Sequence, residues 1–188
     1  MRKFLGATVA PSILVFVGLL GLAILTDLVL HAMGLIWIGR WLGPVGTGLL
    51  VVSFVHSLRR RKLLKKGSPK KLLQLHETLG WLGGLVLLVH AGIHLNALIP
   101  WLALLAMVVV IASGLTGKYL LARARKGMAS RKGELVAQGL NPDEVERQLQ
   151  GLALLTDSMQ RWRSVHMPLT MLFAGLALVH IFATLLLW

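Results

Sequence analysis

The sequence predicts an all-α integral membrane protein, a bundle of five transmembrane helices, and three observations carry that prediction. Hydrophobic residues fill 56% of the 188 positions, charged residues only 14%, and the mean hydropathy is +0.75, a balance foreign to water-soluble domains of this size. Five apolar stretches are each long enough to cross a hydrocarbon layer of about 30 Å, which takes about 20 helical residues. The charges are gathered into the segments between those stretches.

The first stretch, Ser12–Met33, follows Met1-Arg2-Lys3. A basic start before an apolar run also opens a secretory signal, but no Ala-x-Ala-like cleavage site follows a short core, so the run reads as a retained helix. The second, Trp41–Leu58, leads into a basic loop, Arg59–Lys71, that hydrocarbon cannot hold. The third and fourth are Leu75–Leu95 and Leu98–Leu121, and the fifth is Val165–Trp188. A polar segment, Ala122–Ser164, separates the last two. Within it Asn141-Pro142-Asp143-Glu144 combines a cap, a proline at the first helical position and acids at the positive helix end, which predicts a surface helix running toward Trp162. The whole reads as a single membrane domain, residues 1–188.

The basic residues orient it. Of 20 Lys and Arg, two lie at the N-terminus, eight in Arg59–Lys71 and nine in Lys118–Arg163, leaving Arg40 alone on the other side. The positive-inside rule then places the N-terminus and both basic loops in the cytoplasm and Trp188 outside the cell membrane. A net charge of +13 would suggest nucleic acid in a soluble chain, but here it serves topology and anionic lipid. Trp37, Trp41, Trp101 and Trp188 fall at the expected outer interface as aromatic anchors.

With no cysteine, disulfides, iron–sulfur clusters and covalent c-type haem are excluded for this chain, and any iron must be held by other side chains. The seven histidines are the candidates, since ionisable residues inside a membrane are costly enough to mark function. His76 and His90 stand fourteen positions apart in the third stretch, and His166 and His180 fourteen apart in the fifth. At about 100° and 1.5 Å per residue, that spacing puts both side chains of a helix near one face and about 21 Å apart. Both helices run outward in this topology, so His76 meets His166 at the inner level and His90 meets His180 at the outer. Two bis-imidazole haem sites stacked across the bilayer follow, with saturated iron suited to electron transfer. Gly80, Gly83 and Gly84 share roughly the His76/His90 face, where small residues admit a flat macrocycle, and Thr170, Phe173 and Ala177 hold the corresponding place on the fifth helix. Taken singly, a glycine here serves helix packing and a histidine anchors a helix end. Two pairs with matched spacing are not explained that way.

These four histidines, on helices separated by one span, resemble the di-haem b cytochromes: the cytochrome b of bc-type complexes and the transmembrane part of ferric reductase-like proteins. The resemblance covers about two-thirds of the chain. It implies a haem-binding helical bundle, two non-covalent haem b groups, and transmembrane electron flow linked to quinones or to a flavin, iron–sulfur or cytochrome c partner. The Pro-Glu-Trp-Tyr quinol motif of bc cytochromes is missing, as is a flavin or nicotinamide domain after Trp188. The expectation is therefore a non-catalytic cytochrome b subunit of a respiratory or other redox complex.

Four further groups complete the candidates. His94, one turn beyond His90, is an alternative ligand or a propionate partner, and with His31 it suggests a third, outer haem. Asp27 and His31, four apart on the first helix, suit proton exchange with a quinol or a plain ion pair. His56 and Glu77, at the level of His76, suit an inner quinone or proton site. Arg59, Arg60, Arg123 and Arg125 are candidate counter-ions for inner propionates. The competing reading is a histidine-based membrane transporter for metal ions or protons, which predicts histidines at one depth with carboxylates beside them.

Overall fold

The computed structural model describes residues 2–65, 67–92, 98–115 and 121–187. Among these residues there are seven helices and no strand: α1 Arg2–Ala32, α2 Ile36–Ser53, α3 Val55–Arg60, α4 Pro69–Ala91, α5 Leu98–Leu115, α6 Leu121–Ala137 and α7 Pro142–Leu187. Five segments are long and apolar enough to cross a membrane: Ile13–Ala32, Ile36–Arg59, Pro69–Ala91, Leu98–Leu115 and Ser164–Leu186. The chain is an all-α, multi-pass membrane bundle. Its exposed leucines, valines and isoleucines along these segments are what a helix facing lipid presents.

Several boundaries differ from the sequence expectation. The second span begins at Ile36 rather than Trp41 and breaks at Phe54, where the Phe54 amide bonds Val51 O instead of continuing the ladder. The Ser53 hydroxyl donates to Leu50 O at 2.6 Å beside that break, the back-bonding that competes with helix propagation. The third helix starts earlier, with Ser68 as cap and Pro69 in its first turn, because proline's fixed φ suits helix entry. It also ends earlier, at Ala91 rather than Leu95, since Gly92 takes φ +53°, a conformation glycine tolerates and other residues resist. The fourth helix is described to Leu115; its expected end at Leu121, with Lys118, crosses positions outside the described residues.

The polar segment 122–164 holds more helix than expected. Leu121–Ala137 is helical, stops at Gly139 with φ +74°, and turns back through Asn141, whose Oδ1 accepts the Asp143 amide at 2.8 Å. The cap at Asn141 is thus where the sequence put it. The helix it opens does not end near Trp162 but runs on as one 46-residue helix into the last span. No glycine or proline separates Leu152 from Val165, and an Arg161–Asp157 ion pair at 2.9 Å bridges one turn of the junction, so nothing stops propagation.

Packing divides the bundle into two halves. Helix α4 lies chiefly against α2, with α1 behind it, and α7 lies chiefly against α5. Gly46 and Gly83 make the α2–α4 contact close: a Cβ at Gly83 would lie 2.9 Å from Leu50 and 3.2 Å from the Gly46 carbonyl. Between the halves runs a seam that α4 and α5 close only in part.

Candidate functional site

The seam is bridged at two levels by imidazole pairs. His76 on α4 and His166 on α7 have ring centroids 6.4 Å apart with planes at 87°, and His90 and His180 on the same two helices are 6.5 Å apart at 54°. Since 76 meets 166 and 90 meets 180, α4 and α7 run parallel. The two levels are separated by fourteen residues of helix, about 21 Å.

Each level is supported from behind. The Nδ1 of His90 lies 2.7 Å from the Gly39 carbonyl of α2, and a carbonyl only accepts, so Nδ1 carries the proton and Nε2 keeps its lone pair. The same holds, with a longer bond of 3.3 Å, for His76 and the Ser53 carbonyl at the α2–α3 break. His166 places Nδ1 2.5 Å from the Ser113 hydroxyl of α5, which itself donates to Val110 O at 2.7 Å. That hydroxyl therefore accepts from His166. Three of the four rings are held in the tautomer that keeps the lone pair on Nε2, the one in which imidazole ligates metals; in His90 that nitrogen packs toward the α2 backbone, 2.8 Å from where a Cβ at Gly43 would stand. Thr170 and Thr184 donate to the carbonyls of His166 and His180 at 2.7 Å.

The residues fit a bis-imidazole haem in two respects. Two metal–imidazole bonds of about 2 Å plus half of each ring give a centroid separation of about 6 Å, which both pairs match. A Cβ at Gly80 would meet nothing within 4 Å, so the seam is open one turn from His76. At Gly43 of α2 a Cβ would stand 2.8 Å from the His90 ring, so glycine is required there for the ring to sit where it does, and Gly114 brings the α5 backbone close to His166. The other two expected haem-packing glycines are otherwise employed. Gly83 is filled by Leu50 of α2 and Gly84 by Ile111 of α5, where a Cβ would approach 2.9 Å; both serve helix packing.

The remaining candidates divide between the two levels. His56 on α3 stacks on His76 with centroids 5.6 Å apart and planes at 28°, which makes the inner level a group of three imidazoles, with Glu77 half-buried beside it. Asp27 and His31 stay together on α1: the His31 Nδ1 is 2.9 Å from the Asp27 carbonyl and 3.4 Å from its carboxylate. They line a cleft of about 580 Å³ that also reaches Trp37, Arg40, Val89 and His90. A pair four residues apart on the first helix thus opens onto the outer imidazole level. His94, and with it the third haem, lies outside the described residues, as does Trp188. Arg59 does not face the seam, for it donates to the carbonyls of Leu64 and Gly67 and closes the α3–α4 loop. Arg125 bonds Gln160 instead.

Sequence reasoning missed Ser113, Gly39, Gly43 and the Ser53 carbonyl. Gly39 and Gly43 carry a signal, the four-residue glycine spacing of close helix contacts. Ser113 carries none, since serine in a span is satisfied by its own helix backbone as readily as by a neighbour.

Comparison with protein-family models, with curated proteins and with solved structures found no match to this chain.

Proposed function

We propose that this protein is a di-haem b-type membrane cytochrome, an electron-transfer subunit of a larger oxidoreductase complex. The observation that carries this reading is the pairing of His76 with His166 and of His90 with His180 across one seam at two levels. Haem b, when bound, supplies one-electron redox chemistry at each level. The chain's part is to hold the axial imidazoles, to fix the proton of His76, His90 and His166 on Nδ1, and to exclude water from the seam. A histidine-based carrier for metal ions or protons needs its groups at one depth; the inner level does gather His56, His76 and His166, but such a site leaves unexplained the second pair, His90 with His180, about 21 Å away on the same two helices.

The cleft at Asp27, His31 and His90 would suit a quinone as the lipid-soluble partner, with the carboxylate and imidazole of α1 placed to hold or take a proton at its oxygens. Redox proteins carrying flavin, iron–sulfur or cytochrome c centres complete the path at the other end. The positive-inside rule puts the N-terminus and the α6–α7 hairpin in the cytoplasm of a cell bearing this chain in its inner membrane.

A reduced-minus-oxidised optical spectrum of the purified protein tests the reading. Two b-type haems per chain are expected, with one lost on replacing His90 and His180 together. A spectrum with no b-type band, or full haem retention in that variant, overturns it.

A further inference from the structure

We propose that the hairpin of α6 and the first half of α7 is a docking arm for an acidic, water-soluble redox protein. The partner's redox character rests on the electron-transfer reading above; the surface itself rests on the hairpin's geometry and charge.

The hairpin has an apolar core of its own. Leu135, Val145 and Leu149 are buried between its helices, with Met128, Leu140 and Leu152 packed around them. Its antiparallel register is fixed by that cluster at one end and by Arg125 bonding Gln160 at the other. Since α7 is unbroken from Pro142 to Leu187 and its apolar part begins at Ser164, the hairpin continues out of the bilayer.

Height separates a protein partner from lipid. The register sets Arg131 and Lys132 level with about residue 154 of α7, ten residues before the span and so about 15 Å beyond it. The headgroup layer reaches only about 5–7 Å past the hydrocarbon, and charges are screened over about 8 Å of physiological solution. Arg123, Arg125 and Lys126 near the root are within reach of phosphates; Arg131 and Lys132 are not. All five are exposed, with Glu134 the sole acid on α6, paired to Arg131 at 2.9 Å. At the same height Leu154 is 70% exposed, an apolar side chain in water that a partner would cover.

The charge is also graded. The hairpin tip carries Asp143, Glu144 and Glu146 with a single cation, Arg147, all exposed, while five exposed cations lie along α6 toward the membrane and Asp157 of α7 is paired to Arg161. An acidic protein is repelled from the tip and drawn to the root, and the root leads into His166, two residues inside the span on the same helix. The arm therefore steers its partner toward the inner imidazole level. Two helices each about 10 Å wide over about 25 Å of length offer a face of about 500 Å², the size that weak, transient electron-transfer encounters use.

The test uses the full chain in nanodiscs of neutral phosphatidylcholine, with fluorescently labelled flavodoxin as the acidic redox probe and binding read by anisotropy. Binding is expected at about 20 mM salt and about tenfold weaker at about 200 mM. The R123E/R125E/R131E/K132E variant is expected to raise Kd about tenfold or more, the milder R131Q/K132Q to raise it by a smaller factor, and D143N/E144Q/E146Q to leave it equal or lower. Helix content by circular dichroism checks that the variants fold. Failure of flavodoxin to bind, or binding indifferent to the substitutions, overturns the proposal. So does a spin label at K132C, the only thiol in that variant, that immerses among headgroups in anionic discs, because the arm would then be a membrane-surface element. Anisotropy needs no haem, so a chain that binds flavodoxin and carries no b-type band refutes the cytochrome reading and leaves the dock standing.

Discussion

Ser113 on α5 accepts the Nδ1 proton of His166 on α7 at 2.5 Å while donating its own proton to Val110 O. One small hydroxyl thereby fixes both the orientation and the tautomer of an imidazole at the inner level. Replacing it with alanine leaves a half-buried N–H without that partner, at a cost of about 1–3 kcal/mol. On the di-haem proposal, S113A is expected to bind haem at the inner level about 10–100-fold more weakly, the usual consequence of losing such a supporting bond, with the outer level unaffected. Haem titration of the purified variant, followed by the optical difference spectrum, measures both.

Gly43 offers the matching experiment at the outer level. A Cβ there would lie 2.8 Å from the His90 ring, whereas one at Gly48, five residues on in the same helix, would meet nothing within 4 Å. G43A is expected to displace His90 from the Gly39 carbonyl and to lower outer-haem occupancy. On the same proposal, G48A is expected to match the haem content of the parent. Equal haem content in the two variants would show that the ring does not depend on Gly43.

Gly83 and Gly80 separate helix packing from space in the seam. The Gly83 position is closed by Leu50 and the Gly46 carbonyl, while Gly80 is open. Because a backbone atom cannot step aside as a side chain does, G83A is expected to destabilise the α2–α4 contact by about 1–3 kcal/mol, as overpacking does. G80A is expected to shift thermal unfolding little in the haem-free protein and to reduce haem binding in the holoprotein. Thermal melts with and without haem distinguish the two.

The hairpin's core predicts a local effect. Leu135 is 1% exposed, and a buried Leu→Ala change costs about 2–5 kcal/mol. L135A is expected to raise hydrogen exchange across residues 121–152 while amides of the spans beyond Ser164 stay protected, because the cluster of Leu135, Val145 and Leu149 touches the hairpin alone.

Much of this is legible in the amino-acid sequence. His76, His90, His166 and His180 were paired by their spacing because helical geometry converts sequence distance into angle and height without knowledge of neighbours. The Asn141 cap was readable for the same reason, being a bond within one turn. What escaped were contacts whose second partner is distant in the chain. Gly83 and Gly84 share a face with the histidines, yet which neighbouring helix fills that face depends on where Leu50 and Ile111 arrive. The hairpin escaped for another reason. Polar α6 has no apolar stripe long enough to announce itself, and it is held by a few leucines against α7 rather than by its own periodicity.

By itself, then, the sequence determined the solvent, the number of spans, the seam-facing histidines and their two depths, since hydropathy and helical repeat are properties of a chain segment alone. The tertiary structure decided the supports: Gly39, Ser53 and Ser113 behind the rings, Gly43 beneath His90, the meeting of Asp27 and His31 with the outer level, and an arm continuous with the helix that carries His166. Those are relations between segments, fixed by which helix faces pack together, and packing is the one quantity that no local pattern contains.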